Sequence, residues 1–268
     1  MRVAEDLTVL VLTYDEIANI ERTLNSVAWA PRILVIDSGS TDGTLAIIAN
    51  FKQARVEHRP FDNFANQCNF GLSRIQSEWV LSIDADYELS RTLIDELQGL
   101  RATPDTDAYS AKFAYIVNGR ALRSTLYPPR YILYRKALAK YKNVGHGHRV
   151  IIDGPVSTLG GLVHHNDEKP LSRWFNSQQN YAKREAQHLL NSSLSTLKIT
   201  DRIRLLAWPA PILVFIYILL VKLCIFDGWR GWHYTMQRTI AELMIALEII
   251  DHRLRQNTSR SDEHRNSS

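Results

Sequence analysis

Asp84 and Asp86 stand two residues apart at the end of a short apolar run, Trp79-Val80-Leu81-Ser82-Ile83. On an extended backbone, residues i and i+2 point to the same side, so both acids can reach one point if the strand persists through them. Two acids held there repel each other and lose hydration, so a cation is expected between them. A hard divalent ion fits, because Mg²⁺ typically takes one or two carboxylates and completes its shell with substrate phosphates. The bland alternative is a turn that ends the strand, with Asp84 or Asp86 capping a helix that starts near Ser90. Two further polar clusters carry similar chemistry, Thr13-Tyr14-Asp15-Glu16 and Asp37-Ser38-Gly39-Ser40. Later in the chain, His146, His148 and Arg149 lie around two glycines, and His164-His165-Asn166-Asp167 follows an apolar, glycine-containing run. An imidazole suits Mn²⁺ and other transition ions, so His164 is a candidate metal ligand beside Asp86. A helix cap by Asn166 or Asp167 is the competing use of that stretch.

The elements that must position these groups follow from periodicity. Residues 7–13 are β-branched and apolar and read as a strand buried on both faces. Residues 32–36 form a second such run and end in turn chemistry at Asp37-Ser38-Gly39-Ser40-Thr41-Asp42-Gly43. Residues 54–58 can be a third strand, and residues 78–83 are the fourth. Helical spacing fills the intervals at 19–29, 44–51 and 63–77, and a further helix is expected over 91–100. Such alternation argues for a parallel sheet covered by helices on both faces. Ligands in such sheets bind at the carboxyl ends of the strands. All three polar clusters fall at such ends, and their convergence is the strongest signal in the chain. No G-x-G-x-x-G follows the first strand and no G-x-x-x-x-G-K-[ST] occurs, which argues against a dinucleotide dehydrogenase or a P-loop NTPase.

Composition sets the outer limits. The 268 residues, 45% of them hydrophobic, suit one large domain or one domain with an appendage. The net charge of +4 is mild and fits an anionic substrate or an anionic membrane surface as well as nucleic acid. Two cysteines far apart, Cys68 and Cys224, give no disulfide framework and point to a reducing compartment. The first residues lack the shape of a signal peptide, so the catalytic part is expected to stay in the cytoplasm.

At Thr13-Tyr14-Asp15-Glu16 with Asn19-Ile20, at residues 35–44, and at Ile83-Asp84-Ala85-Asp86, the chain resembles glycosyltransferase family 2. Over about residues 7–170 it is similar to the inverting nucleotide-sugar transferases of the GT-A fold. Within that family it resembles bacterial enzymes that add sugars to the lipopolysaccharide core. The resemblance implies an α/β, Rossmann-like, mostly parallel sheet flanked by helices. It implies that Thr13, Tyr14 and Glu16 line the nucleotide pocket and that Asp37 contacts the base or ribose. It places Asp84 against the ribose or the metal shell, and Asp86 on a Mg²⁺ or Mn²⁺ that bridges the diphosphate. Gln67 and Asn69, on the helix before that strand, either touch the nucleotide sugar or belong to a solvated helix face. Inverting transfer needs a general base. Related core transferases carry a Glu where this chain has His148. A neutral imidazole accepts a proton near pH 7, so His148 is the first candidate base and His146 the second. Arg149 is a candidate contact for the diphosphate.

The last third differs in composition. A polar, amphipathic helix is expected over 170–191. Residues 205–221 are 17 residues without a charge, followed by Lys222 and Leu223-Cys224-Ile225-Phe226. A spanning helix needs about 20 apolar residues, so the segment either spans a bilayer or lies in its surface beside a second helix over 232–254. A buried soluble hairpin is the third possibility. Trp208, Tyr217, Trp229 and Trp232 resemble interfacial aromatics, and Arg202, Arg204, Lys222 and Arg230 are placed to meet anionic headgroups. Residues 256–268 have no apolar residue and are expected to be a disordered tail.

The expected organisation is therefore a nucleotide-sugar domain over 1–170, with its acceptor part over about 104–170, and a membrane-associated helical region over 171–255. The expected activity is metal-dependent, inverting transfer from a nucleotide-diphosphate sugar, UDP-linked first, to a lipid-linked or lipopolysaccharide-core saccharide. Its expected place is the cytoplasmic face of a bacterial inner membrane, with no nucleic-acid partner. A polyprenyl-phosphate acceptor and a non-catalytic nucleotide-binding module are the alternatives.

Overall fold

The computed structural model describes residues 2–144 and 147–266. The chain divides into two compact units, Met1–Lys169 and Pro170–Ser268.

The first unit is built on β1 (Leu7–Thr13), α1 (Ile20–Ser26), β2 (Ile33–Asp37), α2 (Thr44–Ile48), β3 (Ala54–His58), α3 (Phe64–Arg74) and β4 (Trp79–Asp84). β5 (Tyr87–Leu89) and α4 (Arg91–Gly99) follow, then β6 (Ala108–Val117), β7 (Arg120–Ala121), β8 (Arg130–Arg135), β9 (Lys140–Val144), β10 (Gly147–Ile151) and β11 (Val156–His165). Among the described residues the strand order of the main sheet is β3-β2-β1-β4-β8-β6-β11-β5, with β7 paired to β6. The unbroken apolar runs of β1 and β2 are buried on both faces, as expected of parallel strands sandwiched by helices. Burying each Val, Leu or Ile there contributes roughly 1.5–3 kcal/mol, and β1 alone places Leu7, Val9, Leu10 and Val11 out of contact with water. α3 lies close over this sheet because Gly71 has no side chain: a Cβ there would come within 2.5 Å of Leu10 Cδ1.

β3, β2, β1 and β4 are parallel to one another. The sheet as a whole is mixed, which corrects the mostly parallel expectation. β8 runs antiparallel to both β4 and β6, while β11 runs parallel to β6. The reason is connectivity: past α4 the strands are joined by loops and hairpins, and β11 returns parallel to β6 only because the long excursion through β7 to β10 separates them. β9 and β10 form a separate antiparallel hairpin.

The second unit contains α5 (Leu171–Asn191), α6 (Ile199–Leu205), α7 (Pro209–Ile216) and α8 (Trp229–Asn266). Its small core gathers Ala186, Leu189, Leu197, Ala207, Ala246 and Ile249. Arg204 lies among Glu242, Glu185 and Asp201, with its Nη2 donating to Glu242 Oε1 at 2.6 Å. α8 takes in most of the stretch expected as a disordered tail; beyond Gly231 it meets neither proline nor glycine to stop it. Among the described residues no helix is long and apolar enough to cross a membrane.

Candidate active site

The loops after β1 and β2 are locked together by their own polar side chains. Asp15 adopts a left-handed φ of 51°, which suits an Asp better than most residues. Its Oδ1 accepts the Thr41 amide at 2.7 Å, while its own amide donates to Ser40 Oγ at 2.8 Å. The Glu16 amide donates to Thr44 Oγ1 at 2.7 Å. Asp37 is 2% exposed, and its oxygens accept the Gly39 amide at 2.8 Å and the Ser40 hydroxyl at 2.5 Å. Gly39, at φ +104°, makes the turn that lets its amide reach back. Asp37 thus spends its acceptors on shaping the loop. Tyr14 is 54% exposed on the rim of this cradle, and Thr13 Oγ1 is buried without a hydrogen-bond partner.

Gln67 and Asn69 serve the framework. The Gln67 amide nitrogen donates to Ser38 Oγ and to the Arg59 carbonyl, both at 2.8 Å, and its oxygen accepts from Arg59 Nη1 at 2.6 Å. The Asn69 side chain brackets the Tyr141 peptide, donating to its carbonyl at 3.0 Å and accepting its amide at 2.9 Å. Both Gln67 amide hydrogens are taken up inside the protein, and Asn69, which is half-buried, gives one donor and one acceptor to the Tyr141 peptide. Asn69 instead pins the β9–β10 hairpin that carries His148.

The two acids do not lie on one continuous strand. Asp84 ends β4, and Asp86 sits in the turn between β4 and β5. The turn buries Asp86 against β11, where its Oδ2 lies 3.2 Å from His165 Nε2. Its Oδ1 is buried with no hydrogen-bond partner, and so is His165 Nδ1. Burial alone would raise the Asp86 carboxyl; the charges of His165 and then Lys169 outweigh it and hold the group down, at about 2. His165, and not His164, meets Asp86, because neighbouring strand residues point to opposite faces. Around the His165 ring, Tyr115 and Tyr127 stand at 4.9 Å and Tyr87 at 5.3 Å.

Lys169, largely buried, closes the site. Lys169 Nζ donates to Glu16 Oε1 at 2.5 Å, with Asp167 Oδ1 at 3.5 Å. The Asn19 amide nitrogen reaches Glu16 Oε2 at 2.8 Å and Asp167 Oδ1 at 3.0 Å. This network ties the loop after β1 to the segment after β11. Burial, and then the charge of Asp86, push the Glu16 carboxyl up to about 7 against the pull of Lys169.

His148 stacks on Phe64 at 5.3 Å and 24°, and Tyr141 lies 5.4 Å away. Burial lowers its pKa below the ordinary value; Asp84 opposes that shift and Arg130 adds to it. His148, Asp84 and Arg130 are therefore close enough to sense one another. Arg130 Nη1 reaches the Tyr87 hydroxyl at 3.5 Å, and its guanidinium lies 5.4 Å from the centre of the Tyr127 ring. Arg149, next to His148 on β10, is exposed and points to the other face of the hairpin, so the structure does not bring it to His148. His146 lies outside the described residues. Sequence reasoning missed His165, Lys169, Asn19 and Arg130. Two of them carried a signal: Asn19 stands in the motif after β1, though without a role of its own, and His165 is the neighbour of His164 in a strand of unknown phase.

Among the described residues no three His, Cys, Asp or Glu side chains converge to enclose a metal. An ion that takes few protein ligands and completes its shell with phosphates and water still fits. The orphaned, ionised Asp86 Oδ1 would be one ligand for such an ion, with Asp84 two residues before it at the end of β4 as the second acid of the turn and His165 holding the other Asp86 oxygen.

Residues 8–152, more than half of the chain, match the family described as Glycosyl transferase family 2. An uncharacterized glycosyltransferase of Rickettsia bellii is 39% identical over 106 residues, covering 39% of this chain and 36% of that protein. The match thus spans about a third of that relative's length. Another from Rickettsia typhi is 29% identical over 200 residues, 69% of this chain and 68% of that protein. The lipopolysaccharide core biosynthesis glycosyltransferase LpsC of Rhizobium meliloti is 31% identical over 103 residues, 37% of this chain and 38% of its own. Among solved structures, the mannosyltransferase PcManGT from Pyrobaculum calidifontis, in complex with GDP-Man and Mn²⁺, superposes with a TM-score of 0.50 at 16% identity, covering 93% of this chain and 87% of that one. At that identity the likeness concerns the fold.

Proposed function

Because the chain belongs to glycosyltransferase family 2, we propose that it transfers a sugar, with inversion, from a nucleoside-diphosphate sugar to a saccharide hydroxyl. The observation that carries this reading is the convergence, at the carboxyl ends of β1, β2 and β4, of the Tyr14 rim, the Asp37 loop and the Asp84–Asp86 turn, with His148 electrostatically linked to Asp84. The nucleoside lies in the cradle of the first two loops, with Tyr14 on its rim. Asp84 and Asp86 would hold a divalent ion, Mg²⁺ or Mn²⁺, with His165 fixing the second Asp86 oxygen, and that ion would supply charge to offset the departing diphosphate. The acceptor oxygen attacks the anomeric carbon as the bond from that carbon to the diphosphate oxygen breaks. His148 takes the hydroxyl proton; its lowered pKa keeps it neutral, and so able to accept, at neutral pH. Lys169 and Asn19 keep Glu16 and the loop after β1 in place.

The acceptor class we propose is a lipid-linked or lipopolysaccharide-core saccharide. The partial likeness to the LpsC protein favours it. The test is a panel of UDP-, GDP- and CDP-linked sugars with Mn²⁺ and lipopolysaccharide-core or polyprenyl-linked acceptors. Transfer to a saccharide hydroxyl with inverted anomeric configuration supports the reading. Transfer to a polyprenyl phosphate would replace the acceptor class, and nucleotide binding without turnover of any donor would sink the enzymatic reading.

A further inference from the structure

The second unit exposes apolar side chains that a water-soluble surface does not. Trp229 is 88% exposed, Trp208 72%, Phe226 65% and Val221 63%, and Ile212 and Leu220 are also more than half exposed. All six belong to one stretch, residues 208–229. Ile212, Leu213, Ile216, Tyr217 and Leu220 are exposed at helical spacing and so share one face, and an exposed apolar face marks an interaction surface. Its geometry decides what it can meet. From Pro209 the chain is helical for thirteen residues, the last five of them in a π-helical turn. At about 1.5 Å per residue that is roughly 20 Å, well short of the roughly 30 Å hydrocarbon core of a bilayer. Leu223 then takes a left-handed φ of 59° and ends the helix, and a short turn Cys224–Asp227 leads into α8. α8 has the length to span but too many charges.

Charge complements the apolar face. Between residues 198 and 238 the chain carries six Lys and Arg against two acids. Lys222 and Arg230 bracket the turn that displays Phe226 and Trp229. Lys222 Nζ lies 5.7 Å from the centre of the Tyr217 ring, so an amphipathic aromatic and a cation share one level. Tryptophans at the border and cations beside them are the arrangement of a surface that enters the headgroup region and stops there.

We infer that residues 208–229 form an in-plane docking surface for an anionic lipid leaflet, which the second unit enters without crossing. Trp208, Phe226 and Trp229 insert to the depth of the upper acyl chains, and Lys222 and Arg230 meet phosphate headgroups. This goes beyond the transferase reading and does not rest on it, since none of these residues belongs to the donor site. Of the spanning, in-plane and soluble-hairpin possibilities left by the sequence, it takes the in-plane one.

The test is flotation of the full chain with vesicles of phosphatidylcholine alone or with 30% phosphatidylglycerol (about a third anionic lipid, enough to set up a negative surface potential). The wild type is expected to float with the anionic vesicles and to be released in part by high salt. The variant Trp208→Ser/Phe226→Ser/Trp229→Ser is expected to lose at least roughly tenfold in partitioning, with an unchanged circular dichroism melt. Lys222→Glu/Arg230→Glu is expected to lose the preference for anionic vesicles while keeping some binding. Quenching of tryptophan by lipids brominated near the headgroup, and not by lipids brominated at the chain ends, places the surface in one leaflet; equal quenching by both would mean insertion to the bilayer centre and overturn the in-plane claim. Wild-type protein that fails to float, a triple variant that floats like it, or a detergent-free dimer that does not bind vesicles would each overturn the inference. The last outcome would make a second copy of the chain the occupant.

Discussion

His165 Nε2 lies 3.2 Å from Asp86 Oδ2, while Asp86 Oδ1 is buried without a partner. One oxygen of the carboxylate is thus fixed and the other is left to bind. An ionised, half-satisfied acid is costly unless something positive completes it. His165→Ala should therefore weaken metal-supported nucleotide binding by roughly 10–100-fold, whereas His164→Ala, one residue away on the opposite strand face, should leave it unchanged. Calorimetry in the presence of Mn²⁺ separates the two.

His148→Ala should lower kcat by roughly 10²–10⁴, the usual contribution of a positioned general base, with donor affinity retained. The pH profile carries the same claim. The folded-state pKa of His148 lies below the ordinary histidine value, so its proton is lost more readily and the neutral base survives to lower pH. The acid limb of kcat/KM should accordingly fall below about 6.5. A limb above that value would point to another base.

Lys169 serves Glu16 and Asp86 at once, and its side chain is 16% exposed. Lys169→Met would leave the Glu16 carboxylate without its ion-pair partner and Asp86 with His165 alone. Removing one partner of a buried pair typically costs about 3–5 kcal/mol, and urea denaturation should show a loss of that order. Mn²⁺ with UDP should restore part of it, because bound ligand stabilises the folded state.

Asn69 forms two hydrogen bonds with the Tyr141 peptide and so sets the hairpin that presents His148. Asn69→Ala should cost about 1–3 kcal/mol, the penalty for stranding buried backbone groups. It should also lower kcat more than it raises KM for the donor, since the base moves while the nucleotide cradle stays. Steady-state kinetics with the donor varied provides the check.

The placement of the polar clusters at the strand ends could be read from the chain because its signals are local. β1, β2 and β4 are apolar runs that end in polar turns, and Thr13, Asp37 and Asp84 fall where those runs stop. The acceptor half could not be read so well, because its geometry is long-range. Whether His164 or His165 faces Asp86 depends on the phase of β11, which carries a register shift between Thr158 and Leu162. No local periodicity reports such a shift. Gln67 and Asn69 invited a ligand role because helix polarity is visible in sequence, while their partners at Ser38, Arg59 and Tyr141 are not. Arg130 gave no signal at all: only the antiparallel pairing of β8 with β4 brings it towards Asp84.

The central claim is that the Asp84–Asp86 turn holds a divalent ion against a nucleoside diphosphate. Calorimetric titration of UDP, GDP and CDP into the full chain, with Mn²⁺ and with EDTA, compares wild type with Asp86→Asn most directly. Binding of one nucleotide that requires the metal and disappears in Asp86→Asn, with the variant still folded by circular dichroism, is the predicted result. Binding that is indifferent to metal and survives in Asp86→Asn would contradict the account and leave Asp86 as a structural partner of His165.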